Sequence, residues 1–412
     1  MKAVVFTLGC KVNSRESASI ITGLKEKGFE TSDKLEWADI YVINTCAVTA
    51  EAEKKSRQAI ARVLKYNKDA KIYICGCASE KNPEVFKLKG AKVVIGAKAK
   101  DKLLDLLETD GIFVERSEVY YEKYLPSKSH RTREYIKIQD GCNNYCSYCI
   151  IPYLRGASRS RKIQNIVDEI KFLNPIETVI TGINVSAFDD EGKKLPQLLD
   201  ALKDFECRFR FGSLEIVSIT EELLDSTLKL KDFAPHFHLS LQSGSDSVLR
   251  SMNRRYTTSE FLDKVKLIRK YYPNAAITTD IIVGYSTETE ENFVECLNFC
   301  DTVSFSDIHC FPYSVREGTE GAKIKPLSDC VKRERLERML LKKAELKNKY
   351  IQANIGKEVI FIPEEKIDNY TVGYSENYLS IYVKGDLPEQ KIKVKICNPF
   401  KDGVFAEMIK NS

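Results

Sequence analysis

Short apolar runs alternate with amphipathic helical stretches through most of this chain, and that alternation constrains the fold more than any other feature. Residues 4–8, 40–44, 71–75 and 93–95 read as strands. Between them, one helix expected to be capped by Ser14 runs to about Lys27 and stops at Gly28, and another capped by Thr49 runs to about Tyr66. Strands separated by helices imply a parallel α/β sheet, expected here over residues 1–120. Past a polar linker near 117–133, the pattern returns in residues 131–348. Strand-like runs at 135–138, 178–181, 208–214, 236–241, 276–283 and 305–311 alternate with helices expected at 163–173, 221–229, 259–272 and 288–299. Six βα units predict a partial parallel barrel with its site at the strand C-termini. After a basic helix at 331–350 the helices cease. Five short strands within 350–412 predict a small β-barrel or sandwich.

The 412 residues exceed one ordinary core and fit two or three domains. No run approaches 18 apolar residues, so no membrane span is expected. MKAVVFTLGC starts like a buried strand and lacks the apolar core and cleavage site of a secretory signal. A reducing, cytoplasmic setting is therefore expected, in which thirteen cysteines read better as metal ligands or core residues than as disulfides.

Three of these cysteines sit at equivalent places. Cys10, Cys46 and Cys77 each follow a strand-like run of the first sheet, and Gly9 and Gly76 precede two of them. Open α/β sheets bind ligands at the carboxyl ends of their strands. A single such cysteine is most often a small buried hydrophobe. Three at equivalent positions favour a site, with Cys75 competing with Cys77 as a ligand.

The string GCNNYCSYC places Cys142, Cys146 and Cys149 in one loop after the first barrel strand. Structural zinc normally takes four ligands, and only His130, His236, His238 and His309 are present to complete such a set. Three thiolates on a four-iron cluster instead leave one iron open to a substrate or cofactor. Tyr148 is placed to flank that ligand. Gly182, Glu215, Gln242 and Gly284, at or after the ends of later strands, are the other expected cofactor contacts.

The net charge is only +5, but basic residues clump. Lys54, Lys55, Arg57, Arg62, Lys65, Lys68 and Lys71 face one acid, Asp69, and residues 331–350 hold eight Lys/Arg against three Glu. Arg155, Arg159, Arg161 and Lys162 follow the triple-cysteine loop. One clump is usually a solvated helix face; three, one of them beside a metal site, suggest a polyanion substrate.

The longer string IQDGCNNYCSYCIIPYLRGASRSR, with TGIN, FGSLE, HLSLQSGSDSVLRSMNRRYT and HCFPYSVREGT, resembles the methylthiotransferases of the radical S-adenosylmethionine (SAM) superfamily. The likeness covers nearly the whole chain, and the last segment resembles the family's RNA-binding TRAM barrel. It implies that Cys142, Cys146 and Cys149 hold the radical SAM cluster and that Cys10, Cys46 and Cys77 hold a second four-iron cluster. Cys75, Cys207, Cys296, Cys300, Cys310, Cys330 and Cys397 are left to core or surface. It also implies two uses of SAM, as methyl donor and as radical source, and a one-electron donor such as a flavodoxin or ferredoxin. One departure is visible: the family usually has VGFPGET where this chain reads VGYSTET, with Ser286 and Thr287 in place of Pro and Gly.

LGCKVN and GYSENYLSIYV resemble the subgroup acting on N6-threonylcarbamoyladenosine at position 37 of tRNA. Subgroups acting on isopentenyladenosine 37 or on a ribosomal-protein aspartate tend towards GCQMN and GCPKN. A reader of the threonylcarbamoyl carboxylate should be cationic, and Arg155, Arg159 and Arg161 are the candidates, with tRNA phosphates or SAM as their competing ligands. A non-catalytic iron–sulfur RNA-binding protein is the rival reading. It explains charges and barrel but leaves two open-iron sites without purpose.

Overall fold

The computed structural model describes residues 1–114 and 132–409. Most of the expected linker, His130 included, lies outside the described residues.

The first unit is one parallel sheet. Strands β1 (Lys2–Thr7), β2 (Glu30–Ser32), β3 (Ile40–Thr45), β4 (Lys71–Gly76), β5 (Val93–Ile95) and β6 (Gly111–Phe113) lie in the order β2-β1-β3-β4-β5-β6. β3 is buried along its whole length, as a parallel strand covered on both faces must be. Alternate residues feed two cores: Val4, Tyr41 and Ile43 on one face, Val5, Val42 and Tyr73 on the other. The helix Lys11–Glu26 begins a turn before the expected Ser14 cap. Gly9, at φ +101°, turns the chain off β1, and the buried Asn13 amide donates to the carbonyls of Leu8 (2.8 Å) and Thr45 (3.0 Å), fixing the first turn. Thr49 caps the helix Ala50–Val63 as expected, its hydroxyl accepting from the Ala52 N–H.

The second unit is an open barrel in two sheets. β7 (Arg133–Asp140), β9 (Glu177–Gly182) and β10 (Arg208–Phe211) run parallel, with β8 (Arg159–Ser160) antiparallel at the edge of β7. β11 (Ser213–Leu214), β12 (His236–Leu239), β13 (Ala276–Val283) and β14 (Asp307–Pro312) form the other sheet. The strand expected over 208–214 is thus broken at Gly212, where a side chain would meet the Ile180 carbonyl oxygen at 3.0 Å, and the break lets the chain pass from one sheet to the next. The helix Asp329–Gln352 buries Met339 and Leu346 in the barrel's core.

The last strands, β15 (Glu358–Ile367), β16 (Tyr370–Ser375), β17 (Ser380–Lys384), β18 (Ile392–Phe400) and β19 (Gly403–Met408), close as a barrel rather than a sandwich, in the order β15-β16-β17-β19-β18. It is seated on the open barrel: Arg210 donates to the carbonyls of Ser375 (3.0 Å) and Glu376 (3.2 Å), and Thr132 to that of Pro363 (2.7 Å). Among the described residues no helix is long and apolar enough to cross a membrane.

The basic helix differs from its sequence reading. Arg335 pairs with Glu288, Arg338 with Glu290, Lys342 with Asp301, and Lys343 and Lys347 with Asp307. Much of its charge therefore holds the helix to the barrel instead of facing a polyanion. Lys54, Lys65, Lys68 and Lys71 of the first clump are exposed.

Candidate active site

The turns after β1, β3 and β4 carry Cys10, Cys46 and Cys77 to one cavity of about 680 Å³, lying between the first sheet and the interior of the open barrel. Two glycines permit this approach. A side-chain carbon on Gly9 would lie 2.6 Å from the Cys46 Cβ, and one on Gly76 (φ +112°) 2.3 Å from the Thr45 carbonyl oxygen. Arg155 Nε donates to Cys77 Sγ at 3.4 Å. Burial pushes the Cys46 thiol up to about 11. Cys75 is fully buried in the core on the opposite face, where burial raises its thiol to about 12. It does not border the chamber.

The second cysteine group is local. Gly141, at φ +71°, turns the chain off β7, where a side chain would overlap the Ala157 carbonyl. The loop is held by the Ser147 N–H donating to the Met252 carbonyl (3.0 Å) and the Gly321 N–H donating to that of Ser147 (2.6 Å). Cys146 borders a cavity of about 620 Å³ with Glu215, Arg254 and Tyr256. Cys149 and Tyr148 border another of about 270 Å³ with Gln242 and Tyr313. Arg254 Nη1 lies 3.4 Å from Cys146 Sγ and 2.9 Å from a Glu215 oxygen, and Asn184 Nδ2 is 3.8 Å from Cys142 Sγ. Burial raises the Cys142 thiol and pushes Cys149 to about 12. Thiols so disfavoured as anions become thiolates when a bound metal supplies the compensating charge.

Both groups suit an iron–sulfur cluster with one open position: Cys10, Cys46 and Cys77 border one chamber, Cys146 and Cys149 of the loop each border a smaller cavity, and no further cysteine borders any of these three cavities. The chamber and the Cys149 cavity share Val48, Ile151, Asp280 and Phe311 in their walls. A third metal-capable set lies in the chamber, where ligand atoms of His238, Asp280 and His309 fall within 4.8 Å of one another.

The other expected contacts are distributed. Glu215 stands beside Cys146, Tyr148 and Gln242 beside Cys149, and Gly182 in the chamber. Gly284 turns instead against Lys332 of the long helix, its N–H donating to Glu288 at 2.8 Å. In the departing VGYSTET loop, Tyr285 is fully buried edge-on to Tyr313. His236, His238 and His309 face the chamber, away from the loop that a zinc reading would have them complete.

Arg155, Arg159 and Arg161 are committed to neighbours. Arg155 is 1% exposed and bonds to Glu16 (2.9 Å), Asp140 (3.0 Å) and Asn13 (2.9 Å). Arg159 pairs with Asp140 at 3.2 Å, and Arg161 with Glu169 at 2.5 Å. They belong to a buried network joining the first sheet to the barrel, with Lys137 on Glu16 (2.8 Å), Lys100 on Glu16, and Arg15 on Glu169 (2.7 Å). Burial disfavours the Glu16 carboxylate, yet Arg155, Lys100 and Lys137 outweigh it and hold its pKa well below the usual range. Asp140 is likewise depressed, by Lys137 and Arg155 against burial.

Sequence reading missed much of the chamber's polar wall, Lys11, Arg133, Arg210, Asp280 and Tyr378, and took His238 only as a possible zinc ligand. A signal existed. RFRF in β10 and HFHL in β12 place polar residues at every second position of strands inside a barrel, where the inward set lines a cavity.

Profiles of known families match the two halves of this description. The Radical SAM superfamily covers residues 136–300, and Uncharacterized protein family UPF0004 covers residues 2–96. The threonylcarbamoyladenosine tRNA methylthiotransferase MtaB of Bacillus subtilis is 36% identical over 100% of this chain and 98% of its own length. That of Aquifex aeolicus is also 36% identical, over 93% and 97%. The tRNA-2-methylthio-N(6)-dimethylallyladenosine synthase of Thermodesulfovibrio yellowstonii is 32% identical over 98% and 97%. Among solved structures, the radical SAM methyltransferase TsrM from Kitasatospora setae shares the fold at a TM-score of 0.55 and 14% identity, over 76% of this chain and 72% of its own. Likeness along the full length places this chain in the radical SAM methylthiotransferase family, and it is an enzyme of that class.

Proposed function

We propose that this enzyme methylthiolates C2 of N6-threonylcarbamoyladenosine at position 37 of tRNA. The observation that carries the reading is the chamber bordered by Cys10, Cys46 and Cys77, which shares a wall with the cavity that Cys149 of the loop triad borders. A single open site would serve SAM cleavage alone; a second beside it has a use if sulfur must be delivered to the activated carbon. Two four-iron clusters and SAM, when bound, supply C–H activation at Cys142, Cys146 and Cys149 and the methylthio group at Cys10, Cys46 and Cys77.

The chain's own residues position and enclose. The Glu16–Arg155–Asp140 network fixes one triad relative to the other, since Arg155 follows the radical loop, donates to Cys77 and pairs with a residue of the first helix. The Tyr378 ring, stacked on His236 at 4.1 Å, forms part of the chamber wall on the side of the C-terminal barrel and helps exclude water. In this reading residues 1–120 carry the sulfur site, 131–348 the radical site, and 350–412 together with the exposed lysines of 54–71 grip the tRNA backbone. The substrate for which the two MtaB relatives are named supports the threonylcarbamoyl reading.

The test is mass spectrometry of nucleosides after anaerobic incubation with SAM, a reductant and tRNA bearing either threonylcarbamoyladenosine or isopentenyladenosine 37. The first should gain the methylthio group and the second remain nearly untouched. Equal reaction of both, or reaction of the second alone, overturns the substrate and leaves the reaction class standing.

A further inference from the structure

We propose that Lys11 forms a carboxylate subsite in the chamber, a specificity contact for the acidic end of the threonylcarbamoyl group; the inference rests on the substrate reading above.

The argument begins with the chamber's charges. Arg133 pairs with Glu364 at 2.6 Å, Arg155 with Glu16 and Asp140, and Arg210 with Glu177 at 2.8 Å. Each of these wall cations is matched behind the wall by a carboxylate. Asp280, an acid of the wall, is engaged by His238 at 3.1 Å. Lys11 is different. It borders the chamber, is exposed towards it, and makes no hydrogen bond or ion pair among the described residues. Lys11 stands near Arg133 and Arg210, and the acid that acts on it across the chamber, Asp280, is already paired with His238, so the protein leaves a further negative charge to be supplied by a ligand.

Position gives the ligand its chemistry. Lys11 directly follows Cys10 and opens the helix Lys11–Glu26, whose first turn carries no acid. The positive end of that helix reinforces the ammonium charge. In the substrate, the carboxylate is joined through the carbamoyl bridge to N6, only a few bonds from C2 across one edge of the ring. With C2 turned to the cysteine triad that supplies sulfur, the carboxylate falls on the same side of the chamber as Lys11. The arginines expected from sequence to read this group are each tied to a protein carboxylate, so Lys11, unpaired among the described residues, takes the role. A competing use of Lys11 is to offset negative charge at the Cys10 triad, and the experiment separates the two.

Initial rates of methylthiolation are measured with wild-type holoenzyme, K11Q and K11R on tRNA bearing threonylcarbamoyladenosine and on the same tRNA with its carboxylate converted to the methyl ester. Iron content and 5′-deoxyadenosine release are recorded alongside. K11Q should raise KM on the acid about tenfold to a hundredfold, the range of a charge-assisted hydrogen bond. It should leave KM on the ester unchanged, and wild type should lose a similar factor on the ester. K11R, which keeps the charge, should retain the preference for acid over ester. Equal penalties on acid and ester in K11Q, or none on either, overturn the subsite, as does loss of the acid preference in K11R. Loss of iron in K11Q with unchanged discrimination in wild type between acid and ester assigns Lys11 to the cluster and likewise overturns it. Failure of wild type to react with the acid at all is the distinct result that defeats the substrate reading.

Discussion

The two cysteine triads are built in opposite ways. Cys142, Cys146 and Cys149 come from one loop, so their proximity is written in their spacing; Gly141 turns the chain, and backbone bonds to Met252 and Gly321 hold the loop. Cys10, Cys46 and Cys77 come from three loops and meet because β1, β3 and β4 are neighbours in a parallel sheet that ends on one line. The assembled triad depends on sheet register, on Gly9 and Gly76, and on the buried charges that dock the first sheet against the barrel. A site specified by sequence and a site specified by topology thus meet at neighbouring cavities that share a wall.

The sharpest break of that comparison is at the local triad. Replacing Cys142, Cys146 and Cys149 together by Ala should remove about half the iron, roughly four atoms per chain, and reduce 5′-deoxyadenosine release to background. Undiminished SAM cleavage in that variant would show that the radical site is elsewhere.

Next in size is the docking network. Glu16→Ala leaves Arg155, Lys100 and Lys137 buried without their shared carboxylate, a change expected to cost about 3–5 kcal/mol. Thermal unfolding should read this as a marked fall in Tm; a change within error would mean the network is solvated. Its pH dependence has a definite sign. The folded pKa values of Glu16 and Asp140 lie below their unfolded values because cations outweigh burial. Their stabilisation is therefore present above the unfolded carboxylate pKa, about 4, and is lost as pH falls below it. Denaturant midpoints should drop below about pH 4, and the drop should be smaller in the Glu16→Ala variant.

Gly9→Ala should act at the assembled triad. It places a carbon 2.6 Å from the Cys46 Cβ at a backbone φ of +101°, with strain of about 1–3 kcal/mol. Methylthiolation should fall several-fold further than SAM cleavage does. A parallel fall in both would place the damage at the fold rather than at the triad. Smallest of all, Cys75→Ala should lose about 1 kcal/mol of core packing and no iron. Iron loss there, with Cys77→Ala unaffected, would exchange the two as ligands.

What could be read from sequence follows the same division. The loop triad, the strands with long apolar runs such as β3 and β13, and helices with side-chain caps such as Thr49 were legible because their signals are local. The edge strands β2 and β6, three residues each, carry too few apolar positions to register. The start of the helix at Lys11 depends on Asn13 reaching two carbonyls, one of them 32 residues away, which no local pattern announces. The arginines after the cysteine loop looked free because Glu16 lies 139 residues from Arg155, while Glu169, 8 residues from Arg161, meets it only once the intervening helix has formed. Lys11, by contrast, lies ahead of the helix expected from Ser14 and carries no sequence signal, and only the fold shows that the chamber's arginines are paired while Lys11 has no partner among the described residues.

The central claim is that the two triads divide the labour, and one variant tests it directly. Cys10, Cys46 and Cys77 are replaced together by Ala, and 5′-deoxyadenosine and methylthiolated nucleoside are measured in the same anaerobic reaction with threonylcarbamoyladenosine tRNA. The account predicts continued release of 5′-deoxyadenosine with no methylthio product. Methylthiolated nucleoside from that variant would contradict it.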